Sequence, residues 1–493
     1  MKKLARFAVC TNSIIFAGLC LYLFLTPFFS TVYYLQDPAL GNAQIPRTAA
    51  HWHQNLSKPF GKWARKRVDT AAANSNINDI SGTEWPIFSA VFYLWATESL
   101  QQQNQGIASG YAADAIDASA QLIADPNHAA WVKQHWGDDY LSRENLFYRM
   151  LLISGLTSYQ SLTGNQQYQD LLLKQVTSLS QELDASPFGL LDDYPGQCYP
   201  IDILPAIAVI QRAGEILKLD FSQFVARSLR GFSGPRLDPE SQLPTYYANS
   251  KTGQGYGPAR GIGASFMLIW APEVWPDTAR RWYANYEKHF WQEGFFLAGI
   301  REFSAFKSYP DWWIDVDSGP VIAGFGTAAS AYGIGAARAN GRFDHAYPLS
   351  AEALVSAWPL LDGTLLIPRL LSNLSDAPYV GETALLFNFT RQPINTDNGK
   401  EFEKQLPLFV YIVLSVYLLL GCYGLHSAYS RFRLCWTSKT LTHSRFLQIQ
   451  LALWLFLIGI SALLLLTGHT LTAVLLLIFT QIFPRIRKTK DTL

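Results

Sequence analysis

The densest chemistry in this chain lies between Arg301 and Pro320, where Arg301-Glu302 is followed by Tyr309-Pro310-Asp311-Trp312-Trp313-Ile314-Asp315-Val316-Asp317-Ser318-Gly319-Pro320. Four acids share these twenty residues with neighbouring tryptophans. A carboxyl flanked by Trp is partly desolvated, so its pKa rises toward the range in which it can hand over a proton near neutrality. A second carboxylate kept hydrated or paired with Arg stays ionised. That division of labour is what acid–base catalysis requires. The same residues have a plainer reading, in which Asp317 or Ser318 caps a helix starting near Gly319 and Arg301 neutralises a neighbouring acid.

A second cluster runs Leu191-Asp192-Asp193-Tyr194-Pro195-Gly196-Gln197-Cys198-Tyr199-Pro200-Ile201-Asp202. Asp192 and Asp193 have no evident structural task. Asp202 reads as an N-terminal helix residue and Cys198 as a packed small hydrophobe, with no His near it in sequence. Glu84-Trp85-Pro86 repeats the theme of an acid beside Trp, with Asp79 before it, although an acid ahead of Pro at a helix start is also ordinary capping chemistry. Tyr246-Tyr247 through Arg260-Gly261 reads as a substrate-lining loop. The expected catalytic carboxyls are therefore Glu302 or Asp315 as proton donor, with Asp192, Asp193 or Glu84 as partner. Arg301 and Arg260 would orient substrate or hold an acid ionised, and Tyr194, Tyr247, Trp312, Trp313, Asp317 and Cys198 would contact it. His- or Cys-rich metal spacing, a Gly-Lys-Ser/Thr phosphate loop and a dinucleotide glycine fingerprint are missing, so no metal and no cofactor is implied. Gly324-Phe325-Gly326 reads as close packing inside a helix.

The elements that would carry these residues are helices. Segments 86–104, 111–124, 143–164, 166–183, 201–218, 263–272, 277–292 and 319–340 place apolar residues at helical spacing, and few stretches read as strands. Helix, short Gly or Pro turn, helix and then a longer polar connection recur without sequence repetition. Connections rich in Gly, Pro, Tyr, Trp and Asp suggest loops converging on one mouth of a ring, with an irregular bundle as the plainer alternative. The fold expected is all-α, an (α/α)6 barrel-like toroid, with 187–200, 244–262 and 301–320 as its site loops.

The ends of the chain are apolar. Ala8–Phe29 is free of charge over 22 residues, about 33 Å as a helix and enough to cross the hydrocarbon core. A cleaved signal peptide is the alternative, but the bulky Leu25-Thr26-Pro27-Phe28-Phe29-Ser30 suits a cleavage site poorly. Leu406–Leu425 and Phe446–Leu466 are long enough to span, and Thr470–Phe483 is short. Lys2, Lys3 and Arg6, then Arg431, Arg433, Lys439 and Arg445, then Arg485, Arg487, Lys488 and Lys490 all fall on one side if four runs cross, which makes that side cytoplasmic. The expected organisation is an anchor at 1–35, an extracytoplasmic barrel at 36–404, a span at 405–426, a basic loop at 427–445, a hairpin of spans at 446–484 and a basic tail at 485–493, in a bacterial inner membrane. With 39 basic against 38 acidic residues, nothing favours a nucleic-acid partner. Cys198 is the lone thiol of the middle domain, so no disulfide can staple that domain internally.

Arg143-Glu144-Asn145-Leu146-Phe147-Tyr148, Thr163-Gly164-Asn165-Gln166-Gln167-Tyr168, Pro187-Phe188-Gly189, Gln197-Cys198, Tyr246-Tyr247 with Ser250, and Arg301-Glu302 before an acid-rich loop follow one another in an order that resembles the linalool dehydratase-isomerase family over roughly residues 79–340. The resemblance implies an (α/α)6 barrel. In that family a His and two Cys assist proton transfer in a hydrophobic cavity; here Leu151 stands where the His would fall and Asp193 where the first Cys would, and Cys198 matches the second. A relay of this composition cannot be the same one. Helical barrels of this kind also serve glycoside hydrolases and polysaccharide lyases, in which paired carboxylates act on a sugar stacked on aromatic rings. The reading that follows is a membrane-anchored enzyme acting on an envelope glycan. Its alternatives are a lyase or isomerase acting on a lipid-like alcohol from the adjacent bilayer, which would need a deep apolar cavity, and a non-catalytic component of an envelope polysaccharide or export assembly, with protein partners at the C-terminal spans.

Overall fold

The computed structural model describes residues 2–72, 80–103, 106–306, 309–394, 403–437, 445–466 and 470–481; Asp79, Lys439 and the basic tail lie outside them. Two compact units form, one from residues 1–33, 359–361 and 411–493, the other from 34–358 and 362–410.

The chain begins with α1 (Lys2–Cys20), a π turn at Leu21–Leu25, and α2 (Thr26–Leu35). The wide turn sits just before Pro27, whose missing N–H and bulky ring disturb the helical ladder. There the Thr26 hydroxyl donates to the Leu21 carbonyl at 2.8 Å. Arg6–Leu35, 30 residues, is long and apolar enough to cross a membrane.

Six helix pairs then build the second unit. Outer helices α3 (Arg47–Asp69), α5 (Ala113–Ala124), α8 (Gln169–Ala185), α10 (Ser222–Ser228), α12 (Pro276–Phe290) and α14 (Phe343–Ala357) alternate with inner helices α4 (Ile80–Gln103), α7 (Leu146–Thr163), α9 (Pro200–Leu217), α11 (Gly261–Val274), α13 (Thr327–Ala339) and α16 (Val380–Thr390). Short helices α6 (Ala130–Trp136) and α15 (Leu366–Ser372) lie in connections. Each inner helix packs against the next, and α16 returns to α4, which closes the (α/α)6 ring. The sequence explains which helices go inside. α11, Gly-Ile-Gly-Ala-Ser-Phe-Met-Leu-Ile-Trp-Ala-Pro-Glu-Val, is apolar all round and must be covered on every side; all its residues but Glu273 are buried. α12 keeps Arg280, Arg281 and Lys288 on one face and turns Trp282, Tyr283 and Tyr286 inward. Close approach of α13 to α16 depends on Gly335, where a Cβ would collide with the Asn388 amide. Phe92, Trp95, Trp270 and Phe387 from α4, α11 and α16 form a buried aromatic cluster, partly stacked and partly edge to face, with centroids 4.6–5.8 Å apart.

Among the described residues, seven short strands decorate the loops. β1 (Tyr247–Ala248) pairs with β2 (Gly255–Tyr256), β3 (Trp291–Glu293) with β4 (Ala298–Ile300), and β5 (Trp313–Asp315), β6 (Gly319–Ile322) and β7 (Phe325–Gly326) form an antiparallel sheet. The last three correct the expected helix 319–340, which starts only at Thr327. Gly319 and Gly324 adopt φ +61° and +83°, turn conformations that no helix accommodates, so Gly324-Phe325-Gly326 is a turn and strand.

The first unit is completed by α17 (Leu408–Thr437), α18 (Arg445–Leu466) and α19 (Thr470–Thr480). Leu408–Arg433 and Ile449–Leu466 are each long and apolar enough to cross a membrane. α19 has 11 residues, about 16 Å of helix and roughly half a hydrocarbon core. Polar groups in this unit find one another: the Asn12 amide donates to the Thr480 carbonyl at 3.1 Å, and the Trp454 indole donates to Asn12 Oδ1 at 2.6 Å.

Candidate functional site

All three expected site loops lead from an outer helix into an inner one, and they converge where the inner helices begin. A cavity of about 1630 Å³ opens there. Its wall takes residues from the first turns of all six inner helices, among them Glu84, Phe147, Asp202, Ile262, Thr327 and Gly381. Phe92, about two turns beyond Glu84 on α4, lines the cavity deeper along the helix.

Glu84 is placed by a proline. The sequence suggested that Pro86 opens its helix and that Glu84 caps it; α4 instead begins at Ile80 and runs through Pro86. Lacking an N–H, Pro86 leaves the Gly82 carbonyl without its helical donor. Arg67 of α3 supplies one, with Nη2 2.5 Å from that oxygen, while its Nη1 reaches the Asp376 carbonyl at 2.9 Å. The helix is thereby tolerated around Pro86, and Glu84 is freed from capping to face the cavity. Burial first, then the charges of Asp202 and Asp317, push its carboxyl up to about 8.

Asp193 is placed by a tight turn. In Tyr194-Pro195-Gly196-Gln197, Gly196 has φ +81° and Gln197 N–H donates to Tyr194 O at 2.8 Å, as a turn with Pro second and Gly third favours. Asp192 braces this turn, accepting from Gly196 N–H at 2.8 Å, and faces away from the cavity. Asp193 Oδ2 accepts from Tyr199 N–H at 3.0 Å, and the Phe147 backbone N–H also acts on this buried carboxyl. Asp202 stands in the first turn of α9. Burial holds both carboxyls far above the usual range, and each is pushed further by a neighbouring acid, Asp202 for Asp193 and Asp317 for Asp202. Close carboxyls of this kind share protons and titrate as a group.

Asp317 is held by a buried charge cluster behind the wall. Arg260 lies 2.6 Å from Glu302, which is fully buried, and 2.7 Å from Asp315, with its guanidinium over the Tyr246 ring at 4.4 Å and the Trp313 ring at 5.3 Å. Asp315 Oδ1 in turn accepts from Asp317 N–H (3.0 Å), Ser318 N–H (2.6 Å) and the Ser318 hydroxyl (2.8 Å), which shapes the β5–β6 turn. The Tyr246 hydroxyl donates to Asp317 Oδ2 at 2.8 Å. Burial raises Asp315, but the Ser318 hydrogen bonds and Arg260 outweigh it and leave the carboxyl below its ordinary value. Burial also raises Glu302, to about 7, against the pull of Arg260.

The expected residues therefore divide. Glu84, Asp193, Tyr194, Trp312 and Asp317 line the cavity; Asp192, Glu302, Asp315, Arg260, Arg301, Trp313, Tyr247 and Cys198 do not. This corrects the placement of the donor, because Glu302 and Asp315 are committed to Arg260 and do not face the space. Arg301 reaches Gln292 at 3.1 Å and Asp311 at 3.4 Å. Cys198 is buried, its carbonyl accepting from Ala248 N–H at 2.9 Å. Tyr199 and Tyr246, from the expected site loops, also line the cavity, as does Asp202, which the sequence placed only as a helix-start residue; sequence reasoning missed Glu352, a cavity-lining acid that burial raises to about 8 and that accepts from Ala298 N–H at 2.8 Å.

Among the described residues lining the cavity there is no Lys or Arg. Phe88, Trp131, Phe266, Phe325 and Tyr332 stand with the acids. Elsewhere Glu287, Asp344 and His345 converge at metal-ligand spacing, but Arg342 sits among them, 2.6 Å from Glu287 and 2.7 Å from Asp344, and its charge stands where a cation would. The arrangement in the cavity can deliver and recover protons on an uncharged, largely apolar molecule. No family model matches the chain, and no curated protein matches it well enough to lend it a function.

Proposed function

We propose that the barrel is a cofactor-free acid–base enzyme acting on a neutral, lipid-like alcohol, removing its hydroxyl as water or shifting its double bond. One observation carries this reading: a large apolar cavity groups Glu84, Asp193 and Asp202, whose carboxyls are all raised by burial and by one another, with no Lys or Arg and the single imidazole of His135 among the described residues of its wall. Such a wall disfavours phosphates and uronates, which need cations, and accommodates a hydrocarbon chain. In the dehydration, protonated Glu84 gives its proton to the hydroxyl oxygen as the C–O bond breaks, and water leaves. Once the carboxyl group has released one proton, the carboxylate at Asp193 takes a proton from the adjacent carbon, whose C–H electrons become the new double bond. The proton then passes back through the carboxyl group to Glu84, so the acids end as they began. Aromatic faces such as Phe88, Phe147 and Tyr332 would stabilise positive charge developing on carbon. The resemblance to linalool dehydratase-isomerases supports the same reaction class, with Asp193 in place of one Cys and Glu84 taking over the proton transfer that Leu151, at the position of the His, cannot perform.

The test is incubation of the purified full chain with geraniol and farnesol at pH 6.5, with products read by gas chromatography and mass spectrometry. Alkene or isomer formation is expected, lost in Glu84→Gln and Asp193→Asn. The second reading, glycosidic cleavage, is favoured by the grouped carboxyls beside the cluster of Tyr199, Tyr246 and Tyr247 rings, which meet edge to face or tilted. Release of reducing ends from neutral glycans, without alcohol turnover, would establish it and overturn the first. For topology, we infer that residues 36–404 lie on the extracytoplasmic side with both termini in the cytoplasm, a reading that rests on the basic flanks and requires the short fourth apolar run to cross as well.

A further inference from the structure

The rim of the cavity is apolar where it meets solvent. Phe295 is 85% exposed, Trp312 69%, Leu371 60%, Phe296 53%, Val316 52% and Ile322 46%, yet all six also line the cavity. A mouth fed from water has no use for such a rim, and large exposed apolar surface marks an interaction site. Chain connectivity says what covers it. Phe295 and Phe296 form the tip of the β3–β4 hairpin, and Leu408 N–H donates to Phe295 O at 3.0 Å and Phe409 N–H to Phe296 O at 2.9 Å. The Phe409 ring packs 6.2 Å from that of Phe296, and Phe409 itself lines the cavity. Leu408 and Phe409 are the first residues of α17, whose Leu408–Arg433 is long and apolar enough to cross a membrane. The first turn of a spanning helix lies at the boundary between lipid and water, where exposed Phe and Trp side chains partition. The hairpin tip bonded to it is held at the same depth.

We propose that this mouth is docked on the bilayer and that the cavity fills from the lipid phase: Phe295, Phe296 and Leu371 insert among the acyl chains of the leaflet that α17 enters, and the substrate slides in without crossing water. The proposal rests on the reading of the site as one for a lipid-like alcohol, and names the route by which that substrate arrives. It separates a membrane-extracted amphiphile from a water-soluble glycan as the natural reactant.

The test uses the full chain in vesicles of phosphatidylcholine and phosphatidylglycerol, with an environment-sensitive nitrobenzoxadiazole label on a cysteine introduced at Phe295, at Leu371, or at Leu173 of α8 as reference. Phosphatidylcholine spin-labelled at acyl carbon 5 or 12 serves as quencher. Labels at 295 and 371 are expected to be quenched several-fold more strongly by the carbon-5 lipid than the label at 173, with the carbon-12 lipid weaker. Equal, weak quenching at all three positions would overturn the proposal, whether water or another protein covers the rim. The readout is independent of catalysis. Alcohol turnover with unquenched labels removes the portal and leaves the site reading standing; quenched labels without turnover do the reverse.

Discussion

Replacing Glu84 by Gln should make the protein more stable at pH 8 and less active at every pH. The carboxyl is raised from 4.5 to about 8 in the fold, by burial first and by Asp202 and Asp317 second. An acid whose pKa is higher folded than unfolded binds its proton more tightly in the native state. Its contribution is therefore complete below pH 4.5 and is lost as the pH climbs to about 8. At about 1.36 kcal/mol per pH unit the full difference is about 5 kcal/mol, an upper bound. Glu84 is only partly covered by protein, and water in the cavity screens its charge, so about 2 kcal/mol is the working figure at pH 8. The amide cannot ionise and escapes that loss. For a domain of this size the gain corresponds to a rise of a few degrees in melting temperature.

The assay is intrinsic-fluorescence melting of parent and E84Q, in the same detergent, at pH 5 and pH 8. The two should melt together at pH 5 and separate at pH 8, with E84Q the higher. Coincident melting at both values would mean that Glu84 ionises in the fold as it does in water, and the proton-loaded site would fall with it. Stability gained where activity is lost is the expected mark of a group kept for chemistry.

Arg260→Ala should cost about 3–5 kcal/mol at pH 8, because it strands the fully buried Glu302; since Glu302 can take up a proton instead, the loss measured by denaturant titration should shrink at pH 5. Gly335→Ala should destabilise by about 1–3 kcal/mol, as its Cβ meets the Asn388 amide and Ile269 Cδ1, with melting as the readout. Lys251→Cys, on an exposed loop, should become reactive to a membrane-impermeant maleimide in right-side-out cells; labelling only after permeabilisation would invert the proposed topology.

How much of this was legible in the sequence depended on which physical signal each element carries. Inner helices such as α9 and α11 announce themselves through unbroken apolar runs, and the loops of the site through Gly, Pro and aromatic density. Where the sequence misled, either a residue distant in the chain or a local glycine turn was responsible. Pro86 is a helix breaker by local rule, and nothing near it indicates that Arg67 will supply the donor the Gly82 carbonyl lacks. The stretch 319–326 carries apolar residues at spacings compatible with a helix, but Gly319 and Gly324 take turn conformations that break it into strands. Asp202 was set aside as a helix-start residue, which it is; the added step is that in a ring of alternating helices the start of an inner helix faces the mouth. Glu84 and Asp202 then occupy equivalent places. Their being brought together follows from ring closure, which no window of sequence contains.

The same ring closure sets up a contest over protonation. Six inner helices begin at the cavity, and the partial positive charge of each N-terminus favours an anion nearby by about 0.3–1 kcal/mol, within one turn only. Taken alone, that would lower the acids of the mouth. Against it stand removal from water, which costs a carboxylate several kcal/mol, mutual repulsion among Glu84, Asp193, Asp202 and Asp317, and a wall whose described residues include no Lys or Arg. Arg260, the cation behind that wall, is already shared between Glu302 and Asp315. Desolvation and repulsion prevail at Glu84, Asp193 and Asp202, while the dipoles and the Tyr199 N–H on Asp193 make it feasible for one carboxylate of these three to ionise. A cluster that keeps most of its protons yet can release one is what a site must hold if a single substrate is to be both protonated and deprotonated there.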